Sequence, residues 1–161
     1  MNAYRVAASL QRRRRNTGAS ERHRPEIHLI PIALDVAIGR RAQLEIYGDD
    51  YPTPDGTCIR DYVHVSDLAQ AHALAITALD GHPELTINLG TGVGSSNRQV
   101  VETVQKVTGK ELDVRYGDRR PGDPAVAIAS NEYAHDVLGW ELEHSELEKI
   151  VRDAWHAHQS F

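Results

Sequence analysis

The chain has 161 residues, of which 40% are hydrophobic and 25% charged, the composition of one folded domain. Its apolar runs are short and broken by polar residues, far from the ~20 apolar positions of a membrane-spanning helix, so no transmembrane segment is expected. The single cysteine, Cys58, excludes an internal disulfide and leaves no zinc ligand set, which fits a reducing, cytoplasmic setting.

The net charge of -5 is unevenly spread. Seven arginines and one acid, Glu21, fall within the first 24 residues, while the remainder is strongly acidic, a poor balance for a nucleic-acid-binding surface. Residues 1–20, with Arg12, Arg13, Arg14 and Arg15 in a row and no acid, read as a disordered basic tail. An Arg-rich, acid-free start also fits a mitochondrial transit peptide. Residues 21–161 read as the globular domain.

Leu29, Ile32, Ala33, Val36 and Ala37 recur at helical spacing, with Pro31 in the first turn and Gly39 as terminator. Leu44 to Tyr47 reads as a short strand, Asp49 to Gly56 as a loop, and Ile59 to Val65 as a second strand. A helix from Val65 follows, with Leu68, Ala71, His72, Ala75 and Leu79 on one face and a stop at Gly81, His82 and Pro83. Leu85, Ile87 and Leu89 alternate as a strand. Beyond the glycines at 90, 92 and 94, Ser96 and Gln99 form a capping box for a helix whose buried face is Val100, Val101, Val104 and Val107. Leu112 to Tyr116 is a further strand and Ser130 to Leu138 a short helix closed by Gly139. Ser145 and Glu148 cap a last amphipathic helix. The class is α/β, without internal repeats.

Three groups of residues carry candidate chemistry. The glycines at 90, 92 and 94 follow a strand and precede a helix, as a dinucleotide fingerprint does, yet the position of its third glycine is Ser95, so a tight turn is the better reading. Arg60, Arg119 and Arg120 lie in or beside turn-rich stretches. A guanidinium fork can bind a pyrophosphate in a bidentate way, and Asp123 could accept from ribose hydroxyls, although arginines on loops are commonly solvated. His64 and His72 lie too far apart for a helical metal pair and read as structural, and Cys58 has no activating motif.

The segment DDYPTPDGTCIRDYVHVSDLAQAH, Asp49 to His72, closely resembles the matching stretch of the UDP-glucose 4-epimerases, members of the extended short-chain dehydrogenase/reductase family. HRPEIHLIP (His23 to Pro31), INLGTGVG (Ile87 to Gly94) and RRPGDPA (Arg119 to Ala125) also resemble that family and occur in its order. The resemblance implies the C-terminal, substrate-binding portion of such an enzyme. It also implies an isomerase of galactose metabolism that interconverts UDP-glucose and UDP-galactose. Arg60 and Arg120 match pyrophosphate ligands, and Tyr62 and Asp123 match positions near ribose and phosphates, with Arg120, Pro121, Gly122 and Asp123 as one contact loop. His28, Leu29 and Ile30 match a segment lining the pocket. Glu45, Ile46 and Tyr47 match the strand against uracil.

Departures from the pattern carry their own expectations. Asn97 stands where the family usually has an apolar or small residue, which alters the uridine wall, and the small Ala127 suggests room for N-acetylated sugars. Family enzymes move a hydride between sugar C4 and tightly held NAD, using a Rossmann domain and a Tyr-x-x-x-Lys pair in which the ammonium lowers the tyrosine pKa. No tyrosine in this sequence has a lysine four residues later. The expectation is therefore a truncated chain that lacks most of the Rossmann domain, binds no NAD alone and does not turn over alone. It either works with a separately encoded N-terminal half or is a non-catalytic nucleotide-sugar-binding module or inert remnant.

Overall fold

Apolar side chains three and four residues apart set the first element, and the glycine after it ends it. In the computed structural model, which describes residues 26–82 and 84–159, helix α1 spans Leu29–Ala37 and is followed by Gly39 at φ 75°. The basic tail expected over residues 1–20, Pro83 and residues 160–161 lie outside the described residues. Strand β1 is Leu44–Tyr47, and its alternate burial puts Leu44 and Ile46 inward and Glu45 and Tyr47 outward. It pairs in parallel with β4, Val114–Gly117, so that Ile46 is opposite Tyr116 and Tyr47 opposite Gly117.

A second, three-stranded sheet lies beside the functional loops. Its centre is β2, Ile59–Arg60, flanked by antiparallel β3, Ser95–Ser96, and parallel β5, Val126–Ala127. The register places Ser95, Arg60 and Ala127 in one row across the sheet. Helix α2 is Val65–Ala78, α3 Asn97–Thr108, α4 Glu132–Leu138 and α5 Leu147–Gln159. The capping box at Ser96 and Gln99 forms as expected, and Gly109 and Gly139 close α3 and α4 in the left-handed conformation.

The main core joins α1, β1, α3 and α5 through Ala33, Leu34, Leu44, Ile46, Val100, Val104 and Val151. A smaller one packs α2 on α4 through Ala71, Leu89, Ala134 and the fully buried Trp140. No described helix is long and apolar enough to cross a membrane.

Three expectations need correction. The strand expected from Ile59 to Val65 ends at Arg60, because the Asp61 carboxylate turns inward. It accepts from the Thr91 amide at 3.0 Å, the Thr91 hydroxyl at 2.5 Å and the Ala129 amide at 3.1 Å. Residues 84–90 form no ladder, although Leu85, Ile87 and Leu89 keep the expected inward alternation; a strand needs a paired neighbour, and among the described residues none runs beside them. Ser145 does not take the capping role expected with Glu148: its hydroxyl donates to Asp67 at 2.5 Å and accepts from the His64 amide at 2.9 Å. Glu148 instead pairs with Lys106 and Arg152.

Candidate functional site

The outward face of β1 and the turn after β4 build one patch. Tyr47 donates its hydroxyl to Glu45 Oε2 at 2.9 Å, fixing the carboxylate beside the ring, and the Arg120 guanidinium lies 3.8 Å from the ring centroid. This is cation–π contact distance. Arg120 takes no carboxylate partner among the described residues. Pro121 and Gly122, the latter at φ 86°, carry the chain through a tight turn closed by the Asp123 amide donating to the Arg120 carbonyl at 3.2 Å. Proline at the second position and a positive-φ glycine at the third are what a type II turn requires.

Arg60 reaches the same turn from β2. Its Nη1 donates to the Pro124 carbonyl at 2.8 Å and to its own neighbour's carbonyl, Ile59, at 2.9 Å, while Nη2 lies 3.7 Å from Asp123 Oδ1. Backbone acceptors hold one edge of the fork, so the head points to the turn. Glu45, Tyr47, Arg60, Arg120, Pro121, Gly122 and Asp123 are thus drawn into one neighbourhood by contacts or by the turn itself. Two cations, an aromatic face and two carboxylates there suit a nucleoside diphosphate: guanidinium forks for phosphate oxygens, a ring for stacking, carboxylates for hydroxyl or imide donors.

The other sequence-derived site residues are placed differently. Ile30 and Ile46 are 8% and 1% exposed, their side chains packed in the main core. Leu29 packs half-buried on the same core. His28, at the N-terminus of α1, bonds Glu26 at 2.7 Å through Nδ1. Tyr62 lines a separate cleft of about 430 Å³ with Thr91, Val93, Ser95 and the 142–147 segment, a cleft that none of the arginines reaches. Arg119, read with Arg60 and Arg120 as a phosphate ligand, is instead bound to Asp50: Nε donates to Oδ1 at 2.6 Å and Nη2 to the Asp50 carbonyl. That hydrogen bond holds the Asp50 carboxyl below its ordinary range.

The glycine loop does not fit a dinucleotide. A Cβ on Gly90 would collide with the Ala129 carbonyl and lie 2.6 Å from Asp61 Oδ2, and one on Gly94 would strike Ile59 and Ile128, so both glycines serve close packing of the chain on itself. The N-terminus of α3 beyond them is already filled by the Ser96 cap, whose hydroxyl donates to Asp55, a carboxylate that would repel phosphate. Among the described residues no group of histidine, cysteine and acids is arranged for a metal. His64 caps α2 by accepting from the Ser66 amide at 3.1 Å and bonds Asp153 at 3.1 Å, and His72 bonds the Leu68 carbonyl at 2.6 Å.

Comparison with known proteins shows the family. The model of the NAD dependent epimerase/dehydratase family matches residues 2–90. The UDP-glucose 4-epimerase of Lacticaseibacillus casei is 50% identical over 141 residues, 87% of this chain and 43% of that protein. That of Streptomyces lividans is 52% identical over 145 residues, 90% of this chain and 44% of that protein. A solved UDP-glucose-4-epimerase from Stenotrophomonas maltophila, with bound NAD and formylated UDP-arabinopyranose, superposes with a TM-score of 0.82 at 38% identity, covering 87% of this chain and 42% of that one. The chain spans about 43% of the length of the curated relatives it matches. Motifs, α/β fold and similarity agree: the chain belongs to the NAD dependent epimerase/dehydratase family.

Proposed function

We propose that this chain holds the UDP part of UDP-glucose and UDP-galactose for a UDP-glucose 4-epimerase reaction. The observation that carries the reading is the convergence of Arg60, Arg120 and Asp123 on one turn beside the Tyr47–Glu45 pair. Tyr62, His28, Leu29, Ile30 and Ile46 enter the proposal through the sequence resemblance, Tyr62 from its own cleft and the other four from α1 and β1. Its relatives by name act on UDP-glucose, and the Stenotrophomonas protein holds NAD and a UDP-pentose derivative. The reading includes no NAD bound by this chain alone, since Gly90 and Gly94 are taken up by packing. It includes no nucleic-acid or membrane partner, which the acidic charge supports, and a cytoplasmic setting, which the buried free Cys58 supports.

Titration calorimetry of the chain with UDP-glucose and UDP tests it. Replacing both Arg60 and Arg120 by alanine removes two charge-assisted contacts, each worth about 1.5–3 kcal/mol, so saturable binding should weaken at least ~100-fold. Equal affinity in the double variant would sink the reading.

Turnover needs a hydride acceptor and a base, and no Tyr-x-x-x-Lys pair occurs in the sequence. The complementary part of the family fold would supply both. The alternative, a non-catalytic binding module, predicts UDP-glucose binding and no epimerisation when the chain is mixed with a separately produced N-terminal part and NAD; recovered activity would exclude it.

A further inference from the structure

Arg119 and Arg120 are adjacent in sequence and oppositely engaged. The loop between β4 and β5 is tied at its ends by backbone: the Gly48 amide donates to the Gly117 carbonyl at 2.8 Å, and the Ile59 amide to the Ala125 carbonyl at 2.8 Å. Between those points Arg119 makes the firm tie to the 48–57 loop. Its Nε bonds the Asp50 carboxylate, its Nη2 bonds the Asp50 carbonyl, and its guanidinium lies 4.3 Å over the Tyr51 ring. Tyr51 is a fixed platform, 6% exposed and folded against Gly48. A Cβ on Gly48 would run into that ring and lie 2.8 Å from Arg119 Cγ, and its φ of 88° already selects glycine. The Asp50 side chain is 72% exposed, so the ion pair by itself contributes little. Two hydrogen bonds and a stack on an immobile ring nevertheless fix the direction of the guanidinium.

We infer that Arg119 is a positioning residue: by pinning the 118–123 loop to Asp50 and Tyr51 it presents the neighbouring Arg120 over Tyr47 for the diphosphate of a nucleotide ligand. The inference rests on the nucleotide-binding reading above and assigns Arg119 no contact with the ligand. Without the pin, Arg120 sits on a turn tethered only from its far side, by the Arg60 hydrogen bond to the Pro124 carbonyl at 2.8 Å and the Arg60–Asp123 approach, and by its own ring contact.

The test compares the wild-type chain with Arg119→Ala, Arg119→Lys and Asp50→Asn by amide hydrogen exchange and by NMR titration with UDP and with uridine. In Arg119→Ala, exchange across residues 118–124 should quicken about ten-fold while α3 and α5 stay at the wild-type rate. UDP affinity should fall about ten-fold and uridine affinity by less than about two-fold. Asp50→Asn, which leaves the Tyr51 stack, and Arg119→Lys, which keeps the charge but not the fork, should each retain part of both effects; Asp50→Asn carries the comparison should Arg119→Ala not fold. Wild-type exchange in the loop, faster exchange spread through α3 and α5, or equal loss for UDP and uridine would overturn the inference. A wild-type chain that bound no UDP would refute the nucleotide-binding reading instead, and the exchange rates would still decide whether Arg119 pins the loop.

Discussion

Asp67 is 1% exposed and accepts from the Ser145 hydroxyl at 2.5 Å and from the His144 and Glu143 amides at 3.0 and 3.3 Å. Burial alone would raise its carboxyl, but the Ser145 hydroxyl and the two amides outweigh it and hold the group below the ordinary aspartate range. The native value is thus depressed relative to about 3.9 in the unfolded chain. The stabilisation is present above that unfolded value and is lost as pH falls through the native one. Asp67→Asn replaces one acceptor oxygen by a donor, which then faces the Glu143 amide at Oδ1 or the His144 amide and Ser145 hydroxyl at Oδ2, so a loss of about 2–3 kcal/mol at neutral pH is expected. Thermal melts should also show a stability profile that is flatter in the variant between about pH 5 and pH 2. A variant as acid-labile as the wild type would place the titrating group elsewhere. Residue chemistry made Arg60, Arg120 and Asp123 candidates in the sequence, and the structure brings all three to one turn. Asp61, Asp67 and Arg119 were not legible in their roles, because their partners lie 30 to 78 residues away. The burial of Ile46 was legible, since in a short strand it shares the apolar face of Leu44.

At the scale of elements, most cap signals held, the Ser145–Glu148 cap excepted, while strand signals held over Leu44–Tyr47 and failed over 61–64 and 84–90. The Ser96–Gln99 box and the glycines ending α3 and α4 act within one turn, so sequence spacing suffices to find them. A strand is different, because alternation reports two faces but not a neighbour. Residues 84–90 have the alternation and no ladder, and 61–64 lose theirs to one aspartate. The glycines separate two physical reasons for the same residue type. Gly109 stands at φ 66° with nothing within 4 Å of where a Cβ would sit, so Gly109→Ala should cost only the left-handed conformation, about 1–2 kcal/mol. Gly94 lies outside the left-handed region but has no space, its Cβ falling 2.8 Å from Ile128 Cδ1 and against Ile59. Gly94→Ala should cost about 1–3 kcal/mol of overpacking on the β2–β5 seam, as much as Gly109→Ala or more. Chemical denaturation of both variants checks the order, and the reverse order would mean that the seam gives way easily.

Across the whole molecule, apolar side chains are unevenly covered. The smaller core takes Leu68, Ala71 and Leu74 of α2 against α4, yet Ile76 and Leu79, at the end of that helix, are 60% and 48% exposed. Val126 and Ile128, in and just after β5, are 49% and 42% exposed. Exposed apolar residues on a helix end and a sheet edge favour association, since covering each large side chain is worth about 1.5–3 kcal/mol. The complementary part of the family fold is the partner that the proposed function calls for. Replacing Ile76 and Leu79 with lysine puts two charges on that helix end without touching Arg60, Arg120 or Tyr47. The double variant should bind UDP-glucose like the wild type. Where mixing the wild-type chain with an N-terminal part and NAD recovers epimerase activity, the double variant should not recover it. Sedimentation should show less self-association at high protein concentration. Retained activity in the mixture would mean that the partner docks elsewhere, whereas lost UDP-glucose binding would mean that the end of α2 supports the nucleotide site itself.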